Sequence, residues 1–292
     1  MSVMTSTTSF APELRQRRRP SGFAYIAPAL LLIALFFIVP IASLLLRSVL
    51  EPTPGLSNYA ELFGSWTYVR IFANTFLVSA LVTLLSVIIG FPVAWLLAII
   101  PNRWGSVLFA IILLSMWTNL LARTYAWMVL LQRTGVINKT LINLGLIDQP
   151  LVMVNNLTGV TIGMTYIMLP FIILPLRGVI KDIEPGILQA AALCGATKWQ
   201  CLWGVLIPLA LPGIASGALM VFVMSLGYFV TPALLGGTAN MMVAEMIAQF
   251  VQSLVNWGMG GAAALVLLVV TLLLYAIQLR LFGVGRIGQE GQ

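Results

Sequence analysis

The sequence predicts an all-α, polytopic membrane protein with six transmembrane helices, both termini in the cytoplasm, and one long cytoplasmic loop between spans four and five. Composition and hydropathy carry that prediction. Of 292 residues, 60% are apolar and only 8% are charged, whereas an average soluble domain carries about 25% charged residues. So few charges cannot cover a water-facing surface. Mean hydropathy is +1.04, and six stretches are long and apolar enough for the roughly 20 helical residues that a bilayer core requires.

The first span runs from about Ser21 to Leu46, uncharged between Arg19 and Arg47. A secretory signal peptide would have an apolar core of only about 7–15 residues before a small-residue cleavage site. The longer uncharged run ending Leu44-Leu45-Leu46-Arg47 therefore reads as a retained helix. The second span covers about Ala73 to Ile99. The third, Ser106 to Leu131, contains Arg123. The fourth is about Leu157 to Leu176, the fifth Leu211 to Leu235 and the sixth Gly260 to Leu279. Residues 1–20 form a basic, disordered cytoplasmic tail, residues 21–282 the six-helix unit with its inner loop at 178–210, and residues 283–292 a second cytoplasmic tail.

Orientation follows from the distribution of Lys and Arg, which concentrate on the cytoplasmic side. With the N-terminus inside, the inner set is Arg15, Arg17, Arg18, Arg19, Arg103, Arg177, Lys181, Lys198, Arg280 and Arg286; the outer set is Arg47, Arg70, Arg133 and Lys139. Pro101-Asn102-Arg103 reads as a tight inner turn. In the last outer loop, Met241 to Leu254 repeats apolar residues every three or four positions, as a re-entrant or interfacial amphipathic helix does. No strong internal repeat is present.

Several chemistries are excluded. The chain has no His, so no His-based triad and no His-ligated metal site. It has no G-x-x-x-x-G-K-[ST] loop to cradle a nucleotide. Two cysteines, Cys194 and Cys201, are too few for a disulfide framework and read as small apolar packing residues on the reducing side. The net charge is +7, and four of the fifteen cations sit in one N-terminal arginine cluster, which suits a topogenic signal better than nucleic-acid binding. No cofactor, no metal and no nucleic-acid partner is expected.

The inner loop is the most informative segment. Pro185 is placed to start a helix, residues 187–193 are Ala-rich helix formers, and Gly195 breaks or caps it. A second short helix follows from about Thr197 to Val205, in which Trp199, Leu202, Trp203 and Leu206 share one face. Pro208 and Pro212 then lead back into the membrane. On periodicity alone the segment equally fits an amphipathic connector lying on the headgroups. Its small alanine tip instead suits close approach to a partner's cleft.

Gln189-Ala190-Ala191, three residues, Gly195, nine residues and Val205-Leu206-Ile207-Pro208 resemble the cytoplasmic coupling motif of binding-protein-dependent ABC importer permease subunits, with matching spacing at every step. The pattern in that family is Glu-Ala-Ala, three residues, Gly, nine residues, Ile-x-Leu-Pro. Gln189 departs from its Glu, keeping hydrogen-bonding capacity but losing the charge. The resemblance implies that Gln189, Ala190, Ala191, Gly195, Ala196 and Pro208 belong to a coupling helix docked on a separate cytoplasmic ATPase dimer. It also implies a second permease subunit, a periplasmic or lipid-anchored solute-binding protein and a bacterial inner-membrane location. The runs Trp117 to Trp127, Asn138 to Pro150 and Tyr228 to Gly237 are similar to the polyamine (spermidine/putrescine) branch. Permeases for opines, amino acids and related compounds share much of them.

Pathway candidates are Trp117, Arg123, Tyr125, Tyr228, Thr231 and Glu245. An intramembrane arginine either lines a cavity or gate or snorkels to carbonyls; as a cation it would repel a polyamine. Trp117, Tyr125 and Trp127 either offer π faces to an ammonium group or belong to packing and the interfacial belt. Gly227-Tyr228 and Thr231-Pro232 interrupt the fifth span, either at a watery cavity or at a simple helix end. Glu245 sits on the outer amphipathic stretch, meeting a cation or solvent. No acid lies inside a span. A stand-alone transporter or channel would call for intramembrane acids or inverted repeats, and a membrane enzyme for a nucleophile with its base; neither is evident.

Overall fold

The computed structural model describes Gly22 to Phe282. The tails expected at 1–20 and 283–292, with their arginines, lie outside the described residues. The chain divides into two compact units, Met1–Ser43 and Leu44–Gln292. The described part of the first is helical: α1 (Gly22–Ile33), a π turn (Ala34–Ile38) and the opening of α2 (Val39–Leu50). From Ile26 onward its apolar side chains are almost all exposed, as for a helix whose backbone bonds are internal and whose surroundings are apolar.

The second unit contains α3 (Ser57–Gly64), α4 (Trp66–Ile99), α5 (Asn102–Trp117), α6 (Leu120–Leu131), α7 (Val136–Asn143), α8 (Leu157–Asp182), α9 (Pro185–Leu193), α10 (Lys198–Cys201), α11 (Ile207–Leu226), α12 (Val230–Leu235), α13 (Val243–Gln252) and α14 (Trp257–Phe282). No strand occurs among the described residues. Among the described residues five helices are long and apolar enough to cross a membrane, or six if the bent pair Arg103–Trp117 and Leu120–Asn143 counts as one span.

The core is built around α8. Met164, Met168, Ile172 and Leu176 are fully buried and recur at four-residue spacing, so they share one helix face. Val78, Val82 and Ala94 of α4 and Ala210 and Val221 of α11 join them. Glycines let the three backbones close up, as small residues do between apolar helices. A methyl group on Gly90 would come 2.5 Å from Ile172 Cγ2, and one on Gly217 would come 2.6 Å from Ile172 Cδ1. A second cluster joins Leu62 of α3, Met246 and Phe250 of α13, and Met259 and Ala263 of α14. The start of α13 is pinned to α4: the Val243 N–H donates to Thr75 Oγ1 at 2.9 Å, and Asn74 Nδ2 donates to the Met241 carbonyl at 3.1 Å.

Four expectations need correction. The third span is not one helix: α5 and α6 meet at 98° across Thr118 and Asn119. The cause is local, because Asn119 caps α6 by accepting from Leu121 N at 2.9 Å and Ala122 N at 3.2 Å, which favours starting a new helix. The fifth span is interrupted at Gly227-Tyr228 as expected, but Thr231-Pro232 is not a second interruption: both residues lie in the separate short helix α12. Pro232 stands in the first turn of α12, where a backbone N–H has no intrahelical acceptor, so it starts a helix rather than kinking one. The expected separate helix at 197–205 is instead continuous with α11, from Lys198 to Leu226, through a π turn at Leu202–Leu206. Finally, Cys194 is exposed rather than a packing residue.

Candidate functional site

Two sites stand out: the α9–α10 hairpin and the junction of the two broken helices. The hairpin is closed by sequence-local chemistry. Pro185 occupies the first turn of α9, where its fixed φ favours a helix and no donor is lost. At the other end Gly195 adopts φ +84°, the left-handed region that a Cβ disfavours. The Gly195 N–H donates to the Ala192 carbonyl at 3.0 Å and the Ala196 N–H to that of Ala191 at 3.1 Å, the paired bonds of a Schellman cap. Thr197 then opens α10 with a capping box. Thr197 Oγ1 accepts from the Gln200 N–H at 3.3 Å, and Gln200 Oε1 accepts from the Thr197 N–H at 2.8 Å. The Thr-x-x-Gln spacing announced this second start.

The hairpin presents a small-residue tip. Gln189 and Ala190 are exposed, Ala191 and Ala196 half-buried, and Gly195 and Pro208 exposed. Leu193, not among the sequence candidates, is 89% exposed, an apolar side chain with no cover from its own chain. The expected shared face of Trp199, Leu202, Trp203 and Leu206 is split. Trp199 and Trp203 are exposed and stack edge-on at 5.7 Å, while Leu206 is buried and Leu202 half-buried against the core. The π turn shifts the register between them. Leu188, Ala192, Leu202 and Leu206 border a cavity of about 220 Å³ against Trp95 of α4. The capped turn at 194–197 links α9 to α10, and α10 runs on into α11 as one helical rod.

At the second site, the breaks at 118–119 and 227–229 lie side by side. Thr124 Oγ1 of α6 and Thr231 Oγ1 of α12, both buried, are 3.2 Å apart. Thr124 also donates to the Leu120 carbonyl at 3.0 Å, so its single proton is engaged and Thr231 is the donor between them. Arg123 and Tyr228 share an adjoining cavity of about 150 Å³. The Arg123 Nε is buried with no hydrogen-bond partner.

Of the other candidates, Trp117 is 88% exposed and Tyr125 is exposed, and neither lines this cavity. Trp127 packs edge-on against Tyr166 at 5.5 Å, a packing role. Glu245 stands apart on α13. Burial raises its pKa above the ordinary carboxylate value, against a lowering hydrogen bond from the Met242 backbone, and its Oε2 is buried without a partner. Thr124 and the cavity methionines Met116, Met168 and Met224 were not marked by any sequence signal, because only the fold brings them together.

Comparison with known proteins adds to this geometry. The family model "Binding-protein-dependent transport system inner membrane component" matches residues 60–282. The chain is 32% identical over 225 residues to the spermidine/putrescine transport system permease protein PotB of Salmonella typhimurium (strain SL1344), covering 77% of this chain and 78% of that one. It is also 32% identical over 242 residues to the inner membrane ABC transporter permease protein YdcU of Escherichia coli (strain K12), covering 79% and 77%. Among solved structures, a chain of a bacterial alginate ABC transporter, in complex with alginate pentasaccharide-bound periplasmic protein, superposes with a TM-score of 0.71 at 18% identity, covering 88% of this chain and 91% of that one. A chain of the inward-facing MetNI methionine ABC transporter gives 0.55 at 20% identity, covering 74% and 95%. At those identities the structures speak for the fold alone.

Proposed function

The chain belongs to the family of binding-protein-dependent transport system inner membrane components, and from that premise we propose that it forms half of the translocation pathway for a small amine-containing solute. It is a multi-pass permease of the bacterial inner membrane, not an enzyme; ATP hydrolysis is the work of a partner ATPase. In this reading the chain crosses six times with both termini inside, the α5–α6 pair making one broken span. Residues 21–282 are the permease unit, 1–20 and 283–292 are cytoplasmic tails, and 178–210 is the coupling loop.

The observation that carries the coupling role is the exposed, capped tip of α9, linked by a short turn to the continuous α10–α11 rod. Gln189, Ala190, Ala191, Gly195 and Ala196 seat in a groove of the ATPase dimer, Leu193 fills an apolar pocket there, and Pro208 helps to turn the rod into the membrane. Closure of the ATPase dimer pushes the tip, and the α10–α11 rod carries that displacement to the break at Tyr228. A packed, continuous helix transmits such a displacement without absorbing it. A related permease supplies the other half, a solute-binding protein delivers cargo from outside, and lipid surrounds the rest.

The names of the relatives point to spermidine or putrescine as cargo. A second reading, an amine that is also an amino acid or opine, is favoured by the unpartnered Arg123 at the pathway junction. The coupling claim is tested by replacing Gly195 with Trp and Leu193 with Asp in the assembled importer. Both variants should still insert, while ATP-driven uptake falls and the ATPase subunit no longer co-purifies. Uptake that proceeds unchanged without the ATPase would overturn the proposal.

A further inference from the structure

The cavity beside the two helix breaks holds one ionised group. Arg123 shares it with the phenol of Tyr228 and with Met116, Met168, Phe171 and Met224. A guanidinium does not lose its proton in a protein, so the charge is permanent. No acid among the described residues lines the cavity. The Nε has no acceptor, whereas Arg177, the other arginine with a buried and unpartnered Nε, lies over the Phe109 ring at 4.2 Å. Leaving a buried polar group without a partner is destabilising, more so when the group is charged. Intramembrane charges that persist at such a cost mark pathways or paired sites. The Arg123 Nε is thus a buried donor that the described residues leave free to take an acceptor.

The chemistry of that acceptor is set by the donor. A guanidinium presents a planar fork that matches a carboxylate with two parallel hydrogen bonds. The remaining wall is mostly methionine and phenylalanine, which suits a short methylene stem because methionine adapts its shape. A carboxylate with its adjoining methylenes meets both the fork and this apolar wall, whereas a polyamine has no group for the fork. A bare ammonium beside the guanidinium would be repelled, with no acid of the described residues lining the cavity to offset it.

We propose that Arg123, with Tyr228 beside it, is a carboxylate-binding subsite of the translocation pathway, so that the cargo is an amine that also carries a carboxylate. The inference rests on the importer reading and narrows its substrate class. Carboxylated and carboxylate-free partners of one amine separate the alternatives: ornithine against putrescine, and lysine against cadaverine.

The experiment uses the complete importer, with its ATPase, second permease and solute-binding protein, reconstituted in vesicles. Competition by each member of these pairs against uptake of the native cargo is measured for the unaltered chain and for Arg123→Gln, Arg123→Lys and Tyr228→Phe. Expected are stronger competition by the carboxylated member of each pair, at least a tenfold fall in uptake for Arg123→Gln expressed mainly in KM, and partial recovery with Arg123→Lys. Stronger competition by the carboxylate-free members would overturn the proposal, as would an Arg123→Gln importer with unchanged uptake. Loss of the second permease from the purified Arg123→Gln complex would overturn it too, assigning Arg123 to the interface between subunits. Uptake by the unaltered importer that needs no ATP would remove the importer reading itself, a different result.

Discussion

The hydroxyls of Thr124 and Thr231 lie 3.2 Å apart, buried, and are 107 residues apart in sequence. They join the short helices that follow the two breaks. Thr231→Val removes the donor and should destabilise the detergent-solubilised protein by about 1 kcal/mol. Thr124→Val should cost somewhat more, since its bond to the Leu120 carbonyl goes as well. Thermal unfolding of both single variants and the double variant checks this: the double should cost less than the sum, because the shared bond can be lost only once.

Gly90 touches Ile172 where α4 crosses α8. Gly90→Ala would place a methyl 2.5 Å from Ile172 Cγ2, and overpacking of this kind costs about 1–3 kcal/mol. Gly178→Ala, on the same bundle but with nothing within 4 Å of the added methyl, should be neutral or stabilising by up to about 1 kcal/mol, the ordinary helix preference for Ala. Unfolding midpoints of the two variants should move in opposite directions or differ clearly in size.

Thr197→Ala removes one arm of the capping box at the start of the α10–α11 rod. Caps of this kind are worth about 1 kcal/mol. The core does not depend on this exposed turn, so global stability should change little, while hydrogen exchange at Gln200 and Cys201 speeds up about fivefold, as about 1 kcal/mol implies. Thr197→Ser should retain the slow exchange.

Glu245 gives a pH dependence with a definite sign. Burial raises its native pKa above the ordinary value, which is about 4.3 for an unfolded Glu. Below that value the carboxyl is protonated in both states and contributes nothing. As pH rises through it, the unfolded chain releases its proton first, so stability falls until the native carboxyl also ionises. Glu245→Gln should therefore match the unaltered protein at pH 4 and exceed it at pH 7. Unfolding curves at the two pH values test this; equal differences at both would contradict it.

Legibility in the sequence depended on how local the cause was. Long uncharged runs, the helix start at Pro185 and the cap at Gly195 are each set within a few residues, and the structure has them as read. Asn119 is equally local: an Asn before an apolar run is a helix-start signal, although hydropathy runs without a break from Ser106 to Leu131 apart from Arg123. The split of Trp199 and Trp203 from Leu202 and Leu206 was not legible, because a strict 3.6-residue period has no place for a π turn.

By itself, the sequence determined that this chain is helical, that it belongs in a bilayer and where its capped hairpin turns. Hydropathy, charge count and capping chemistry act over a few residues or over the whole composition, and need no knowledge of neighbours. Only the tertiary structure decided that Thr124 meets Thr231, that Ile172 fills the space above Gly90 and Gly217, and that Arg123 shares a cavity with Tyr228 while Trp117 and Tyr125 do not. An apolar helix gains little from hiding one particular face when its surroundings are apolar too. Which faces meet is therefore set by close packing between residues far apart in the chain, and no periodicity in the sequence records that fit.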